Sequence, residues 1–183
     1  MVKLEAPMEI PAGLQPVPNR SDHMCFGCGP VNPYGLKMKF YASDKAVASW
    51  VTVPEHLCGW DNLVHGGVIT TILDEIMSWS AIYLLKRFIL TKSITVEFLK
   101  PLYVGQQIKA EGGVKTADGG REARMTGVIY NSEGLPCARS EGTFALMAPR
   151  LAERLGIMGR RQLQEFAELM GIDAEEPSRG DRS

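Results

Sequence analysis

Residues 64–75 read VHGGVITTILDE, and the apolar spacing that starts there decides the fold. Ile69, Ile72, Leu73, Ile76 and Met77 recur at intervals of three and four, the stripe of a helix with one buried face. The stripe carries on to residue 86. At its far end Ala81, Ile82, Leu84 and Leu85 are apolar nearly all round, which calls for deep burial. Lys86 and Arg87 close the helix, where cations complement the dipole.

On either side the period drops to two. Leu36, Met38 and Phe40 alternate with Lys37 and Lys39, Ser43-Asp44 supplies a turn, and VASWVTV continues as a strand. After the helix come LTKSITVEFL, ended by Pro101, and strands over 106–116, 121–131 and 137–147. Asp118-Gly119-Gly120 and Asn131-Ser132-Glu133-Gly134 separate the last three. Strands flank one long helix without alternating with helices, so the class is α+β with an antiparallel sheet. Five to six strands are expected to wrap the helix. APRLAERLGIM and RRQLQEFAELMGI read as two short amphipathic helices. The expected organisation is a loop-rich segment (1–34), a core domain (35–148), a helical extension (149–172) and a polar tail (173–183).

Composition narrows the function. The 183 residues are 45% hydrophobic and 22% charged, as in an ordinary globular domain. Twenty Lys+Arg against 21 Asp+Glu gives a formal charge of −1, without the basic surplus that nucleic-acid binding needs. Pro7, Pro11, Pro16 and Pro18 interrupt the N-terminal stretch, which has no signal-peptide core. The apolar runs are read as too short or too broken by polar residues to span a bilayer. A cytoplasmic protein with reduced cysteines and no membrane partner is expected.

Three features of 64–75 bear on chemistry. Gly66 and Gly67 open the helix, His65 precedes it, and Asp74 and Glu75 interrupt its apolar first half. First-turn N–H groups lack intrahelical partners, and glycine lets a carbonyl oxygen approach them, which suits an oxyanion site. Glycines of this kind also serve simply to allow a tight entry into the helix. An acid on an apolar helix is costly to desolvate, and its raised pKa suits a general base or a carboxylate nucleophile; pairing with a Lys or Arg is the structural alternative. Glu75 is assigned to the wetter side and Asp74 is the odder placement. Asp74 follows Gly66 by eight positions, about 12 Å along a helix. One chain cannot bring both groups to one carbonyl. Two antiparallel copies of the helix across a two-fold axis can, which predicts a homodimer with two equivalent clefts at its interface.

At these residues the sequence resembles the hotdog-fold acyl-CoA thioesterases, in particular the phenylacetate-pathway and 4-hydroxybenzoyl-CoA thioesterase-like branch, over about residues 24–148. The resemblance rests on His65-Gly66-Gly67 followed by Asp74, nine positions after the histidine. It implies a hotdog fold, in a homodimer or dimer of dimers, that hydrolyses an acyl- or aryl-CoA thioester with no cofactor. It further implies that Asp74 is the base or nucleophile and that the Gly66 N–H of the opposite protomer binds the oxyanion. Thr91, ten positions before Pro101, would position water. By strand parity Thr91 groups with Ser93, Thr95 and Glu97, away from the apolar set. His65 joins the catalytic set, with holding the glycine turn as its foremost role. Gly67, Asn62, Glu75 and Lys92 are assigned to substrate binding. Relatives carry Asn or Gln six positions before the histidine, where this chain has Gly59; Asn62, Asp61 or His56 is placed to substitute. A hotdog dehydratase or hydratase and a non-catalytic acyl-CoA-binding module are the alternative functions.

Cys25-Phe26-Gly27-Cys28-Gly29 contains a lone CxxC. A closed zinc site needs four ligands, and Cys58 and Cys137 are distant in sequence, so no metal is assigned. Packing or covering the substrate is the expected role of this segment.

Overall fold

The computed structural model describes residues 11–172. The polar tail expected at 173–183 lies outside the described residues. Seven antiparallel strands form one sheet: β1 (Gln15–Pro16), β2 (Phe40–Ala42), β3 (Val47–Thr52), β4 (Phe88–Phe98), β5 (Gln107–Ala117), β6 (Glu122–Tyr130) and β7 (Pro136–Met147). Their order across the sheet is β1-β2-β3-β5-β6-β7-β4. The count exceeds the expected five to six because the two residues of β1 pair with β2, in the segment read as loop. Helix α1 (Gly66–Leu85) lies across the inner face, and α2 (Pro149–Arg154) and α3 (Arg160–Met170) follow the last strand. This is the hotdog architecture.

The core is the seam between helix and sheet. Ile72, Leu73, Ile76 and Met77 of α1 are fully buried, with Phe144, Ile108, Met125 and Ile129 facing them from the strands. Small residues let the helix come close. Gly112, Gly127 and Ser140 form one row across β5, β6 and β7. A Cβ at Gly112 would stand 2.7 Å from Ser80 Oγ and 2.8 Å from the Ile76 carbonyl oxygen, so that position admits no side chain without moving the helix. Helix α1 passes the length and composition test for a membrane span, with a mean hydropathy of 1.4. That corrects the reading of this stretch as too short or too broken. The sheet, which buries more than half of the helix, accounts for the same apolarity.

The expected strand over 36–40 begins only at Phe40. Leu36, Met38 and Phe40 are buried and Lys37 and Lys39 exposed, as alternation demands. The backbone, however, pairs elsewhere. Leu36 N–H donates to the Phe26 carbonyl (2.9 Å), Met38 N–H donates to the Gly27 carbonyl (3.0 Å), and Lys37 takes a positive φ of 51°. The segment thus ties the CFGCG loop to the sheet. At the other end, Phe166 of α3 packs against Trp79 and Phe88, and Lys86 Nζ donates to the Met170 carbonyl at the C-terminus of α3 (3.0 Å). The helical extension therefore sits over the C-terminal half of α1 and leaves the Gly66 end open.

Among the described residues strand β4 ends the sheet, with β7 on one side and no strand on the other. Leu90, Phe98 and Leu99 on and beside it are 43%, 57% and 43% exposed. An eleven-residue edge flanked by bare apolar side chains is a surface that folded proteins ordinarily cover.

Candidate active site

Helix α1 starts on a histidine cap. His65 is extended (φ −61°, ψ 136°), and its Nδ1 accepts from the Gly67 N–H at 2.9 Å. With Nδ1 accepting, the neutral ring carries its proton on Nε2. The His65 carbonyl accepts from Val68 N–H (2.9 Å) and Ile69 N–H (3.1 Å). The Ile69 bond is the first regular turn of the helix; with His65 N–H donating to the Leu57 carbonyl (3.2 Å), three of the four orphan donors at the helix start (His65, Gly67 and Val68) are satisfied. The fourth, Gly66 N–H, has no acceptor among the described residues. Gly66 opens onto a cleft of about 320 Å³, lined also by Leu63, Ile69, Phe98, Leu99 and Leu102. Gly67, assigned to substrate binding from the sequence, is exposed, and its N–H is committed to the cap. Gly59 backs the histidine: a Cβ there would lie 3.3 Å from His65 Cα, so a larger residue at this position would press on the cap.

Asp74 sits two turns further along α1, partly buried. Thr91 Oγ1 donates to its Oδ1 at 2.8 Å. Burial pushes the Asp74 carboxyl above its ordinary value of 3.8. The Thr91 hydrogen bond opposes that rise without cancelling it, and charge on Cys25 adds to it. No Lys or Arg forms an ion pair with Asp74 among the described residues, so the structural alternative for this acid is not what the chain builds.

Thr91 reaches Asp74 because of a bulge that parity reasoning missed. Thr91 pairs with Phe144 but Ser93 pairs with Thr143, so Lys92 is an extra residue in β4. The bulge switches faces between the two. Thr91 lies on the inner face with Ile89, while Ser93, Thr95 and Glu97 lie outside with Thr143, Glu141 and Arg139. Grouping Thr91 with the outer polar set is therefore corrected. Lys92 itself pairs with exposed Glu122. Asn62 is exposed in the loop before α1, and its carbonyl accepts from Val104 N–H (2.9 Å).

Glu75 is not on a wetter side. Its Oε1 accepts from Cys25 Sγ (3.2 Å) and its Oε2 from Trp79 Nε1 (3.2 Å), beneath the N-terminal loop. Burial pushes its carboxyl up to about 8, with charge on Cys25 contributing. Both of its oxygens are thus engaged by the chain's own side chains, where the sequence assigns it to substrate binding. The sequence offered no signal for this cluster, since Cys25 and Glu75 are 50 residues apart.

Comparisons with known proteins bear on the fold. Residues 61–138 match the family model described as thioesterase superfamily. The verlamelin biosynthesis protein B of a Lecanicillium species is 26% identical, over 55% of this chain and 56% of that protein. The chain thus spans little more than half the length of that curated relative. Among solved structures, a thioesterase superfamily protein, RHA08564, aligns with a TM-score of 0.59 at 25% identity, over 64% of this chain and 57% of its own. A hypothetical thioesterase from Streptococcus pneumoniae, solved with coenzyme A, aligns with a TM-score of 0.53 at 18% identity, over 56% of this chain and 82% of its own.

Proposed function

We propose that the protein, whose residues 61–138 match the thioesterase superfamily model, hydrolyses an acyl- or aryl-CoA thioester in clefts completed by two copies of the chain. The observation that carries the reading is the pair of half-sites on one helix. An N–H with no acceptor among the described residues stands at Gly66 and a partly buried acid at Asp74, about 12 Å apart by helical rise and therefore out of reach of one carbonyl. Docking a second copy antiparallel along the open edge of β4 would bring the Gly66 of one chain opposite the Asp74 of the other. It would also cover Leu90, Phe98 and Leu99.

The chemistry follows from the hydrogen bonds. Thr91 gives its only proton to Asp74 Oδ1, leaving its lone pairs to accept from a water molecule. Asp74 Oδ2 accepts that water's other proton as general base. The water oxygen attacks the thioester carbon while the Gly66 N–H of the partner subunit holds the developing oxyanion. The tetrahedral intermediate collapses, the C–S bond breaks, and the proton taken by Asp74 passes to the departing thiolate. The products are a free acid and coenzyme A. A metal has no part in this sequence of steps. His65 fixes the turn that aims the Gly66 N–H.

The test is Asp74→Asn, with thiol release measured over a panel of acyl-CoA thioesters. Turnover should fall by about 10²–10⁴ while the dimer persists. Hydrolysis at the normal rate by that variant would remove the mechanism.

A further inference from the structure

We propose that Cys25, Cys28 and Glu75 form a binding site for a thiophilic divalent cation of the zinc type, which fastens the CFGCG loop to α1. The two Sγ atoms and a carboxylate oxygen of Glu75 all lie within 4.8 Å of one another. Tetrahedral zinc with sulfur and oxygen ligands separates such atoms by about 3.4–3.8 Å, so a modest contraction suffices.

The loop is held in the shape the site needs. Gly29 N–H donates to the Cys25 carbonyl (2.9 Å), and Asn19 Nδ2 donates to the Cys28 carbonyl (3.1 Å). Gly27 presses directly on the acid: a Cβ there would stand 2.3 Å from Glu75 Cγ. Both sulfurs are therefore presented to Glu75 by a main chain that is itself anchored to residues 36–38.

Charge points the same way. Glu75 is deep under the loop, and among the described residues no Lys or Arg pairs with it. Its neighbours are two thiols and an indole N–H. Trp79 Nε1 occupies Oε2 and orients the carboxylate, leaving Oε1 toward the sulfurs, the usual division between a ligand atom and its supporting hydrogen bond. Two sulfurs and one oxygen select a zinc-like ion over magnesium or calcium. Cys25 is half-exposed, which leaves an entry path and a fourth position for water. His23 is held by Asn19 and is not a ligand. On binding, whatever protons the three ligands hold pass to solvent, so two thiolates and one carboxylate face the dication.

The experiment is a cobalt(II) titration of the reduced, chelator-treated full-length protein without oxygen. The expected result is a thiolate-to-cobalt charge-transfer band in the near ultraviolet, with tetrahedral visible bands, saturating at one ion per chain and abolished by equimolar zinc. Cys28→Ser should eliminate the band. Glu75→Gln should retain charge transfer but weaken binding tenfold or more. Cys58→Ser, an exposed thiol outside the cluster, should change nothing. A wild-type protein with no charge-transfer band overturns the proposal and needs no variant to do so. So does a band that survives Cys25→Ser and Cys28→Ser, or a Cys25–Cys28 disulfide that forms as readily with zinc present as without. None of these readouts depends on thioester hydrolysis, so the metal site and the enzymatic reading fail separately.

Discussion

Replacing Gly66 with proline deletes a single hydrogen-bond donor and little else. Gly66 is the first residue of α1, the helical position where proline is best tolerated. The preceding His65, at ψ 136°, already has the extended backbone that proline imposes on its neighbour. The neighbouring donors of the helix start, Gly67 and Val68 N–H, are occupied by His65, so the lost N–H breaks no bond among the described residues. Folding stability should change by less than about 0.5 kcal/mol, as for an inconspicuous surface substitution. If that N–H binds the oxyanion, kcat should drop by about 10²–10³, equivalent to about 2.7–4 kcal/mol. Gly66→Ala is the control. It keeps the N–H, and its Cβ would meet only the Phe98 ring at 3.6 Å, an ordinary contact. The assay pairs a thiol-reporting dye with a thermal melt. Wild-type turnover in the proline variant would refute the role of Gly66. Equal losses in both variants would trace the defect to crowding of the cleft instead.

Mixing separately inactive Asp74→Asn and Gly66→Pro chains tests whether sites are shared: after subunit exchange, sharing restores about a quarter of wild-type activity, since half the dimers are mixed and each regains one of two sites. No recovery would place both groups of a site in one chain. Thr91→Ala should slow hydrolysis by at least tenfold and Thr91→Ser should rescue it, with kcat rather than KM carrying the change. His65→Ala removes the cap and should cost about 1 kcal/mol of stability, read as a lower denaturant midpoint. Gly112→Ala forces a Cβ against Ser80 Oγ and the Ile76 carbonyl and should destabilise by about 1–3 kcal/mol. An unchanged midpoint would mean that the helix does not rest on the strand there.

Much of this molecule is legible in its sequence because the relevant signals are local. The three-and-four spacing of Ile69 to Met77 placed the helix, and period-two runs placed β4 to β7 nearly to the residue. The eight-residue gap between Gly66 and Asp74 needs only helical geometry to suggest two subunits. Alternation at Leu36 to Phe40 forecast burial correctly but not pairing, since side-chain parity does not say which backbone will accept the N–H groups. Thr91 was found through its distance from Pro101, while its facing was misjudged because a one-residue bulge leaves no trace in composition. The Cys25–Glu75 contact joins segments 50 residues apart, and only the fold of the 23–38 loop brings them together.

The placement of β4 at the sheet's margin has a consequence for hydrogen exchange. Its amides directed at β7 are locked in a long ladder, whereas those on the opposite side of the same strand are sheltered only when something lies alongside. Thr91, the hydroxyl that steadies Asp74, belongs to this half-secured strand. Dilution should therefore unmask the outward amides of residues 88–98 first, and the protonation behaviour of Asp74 should drift with protein concentration before any helix is lost.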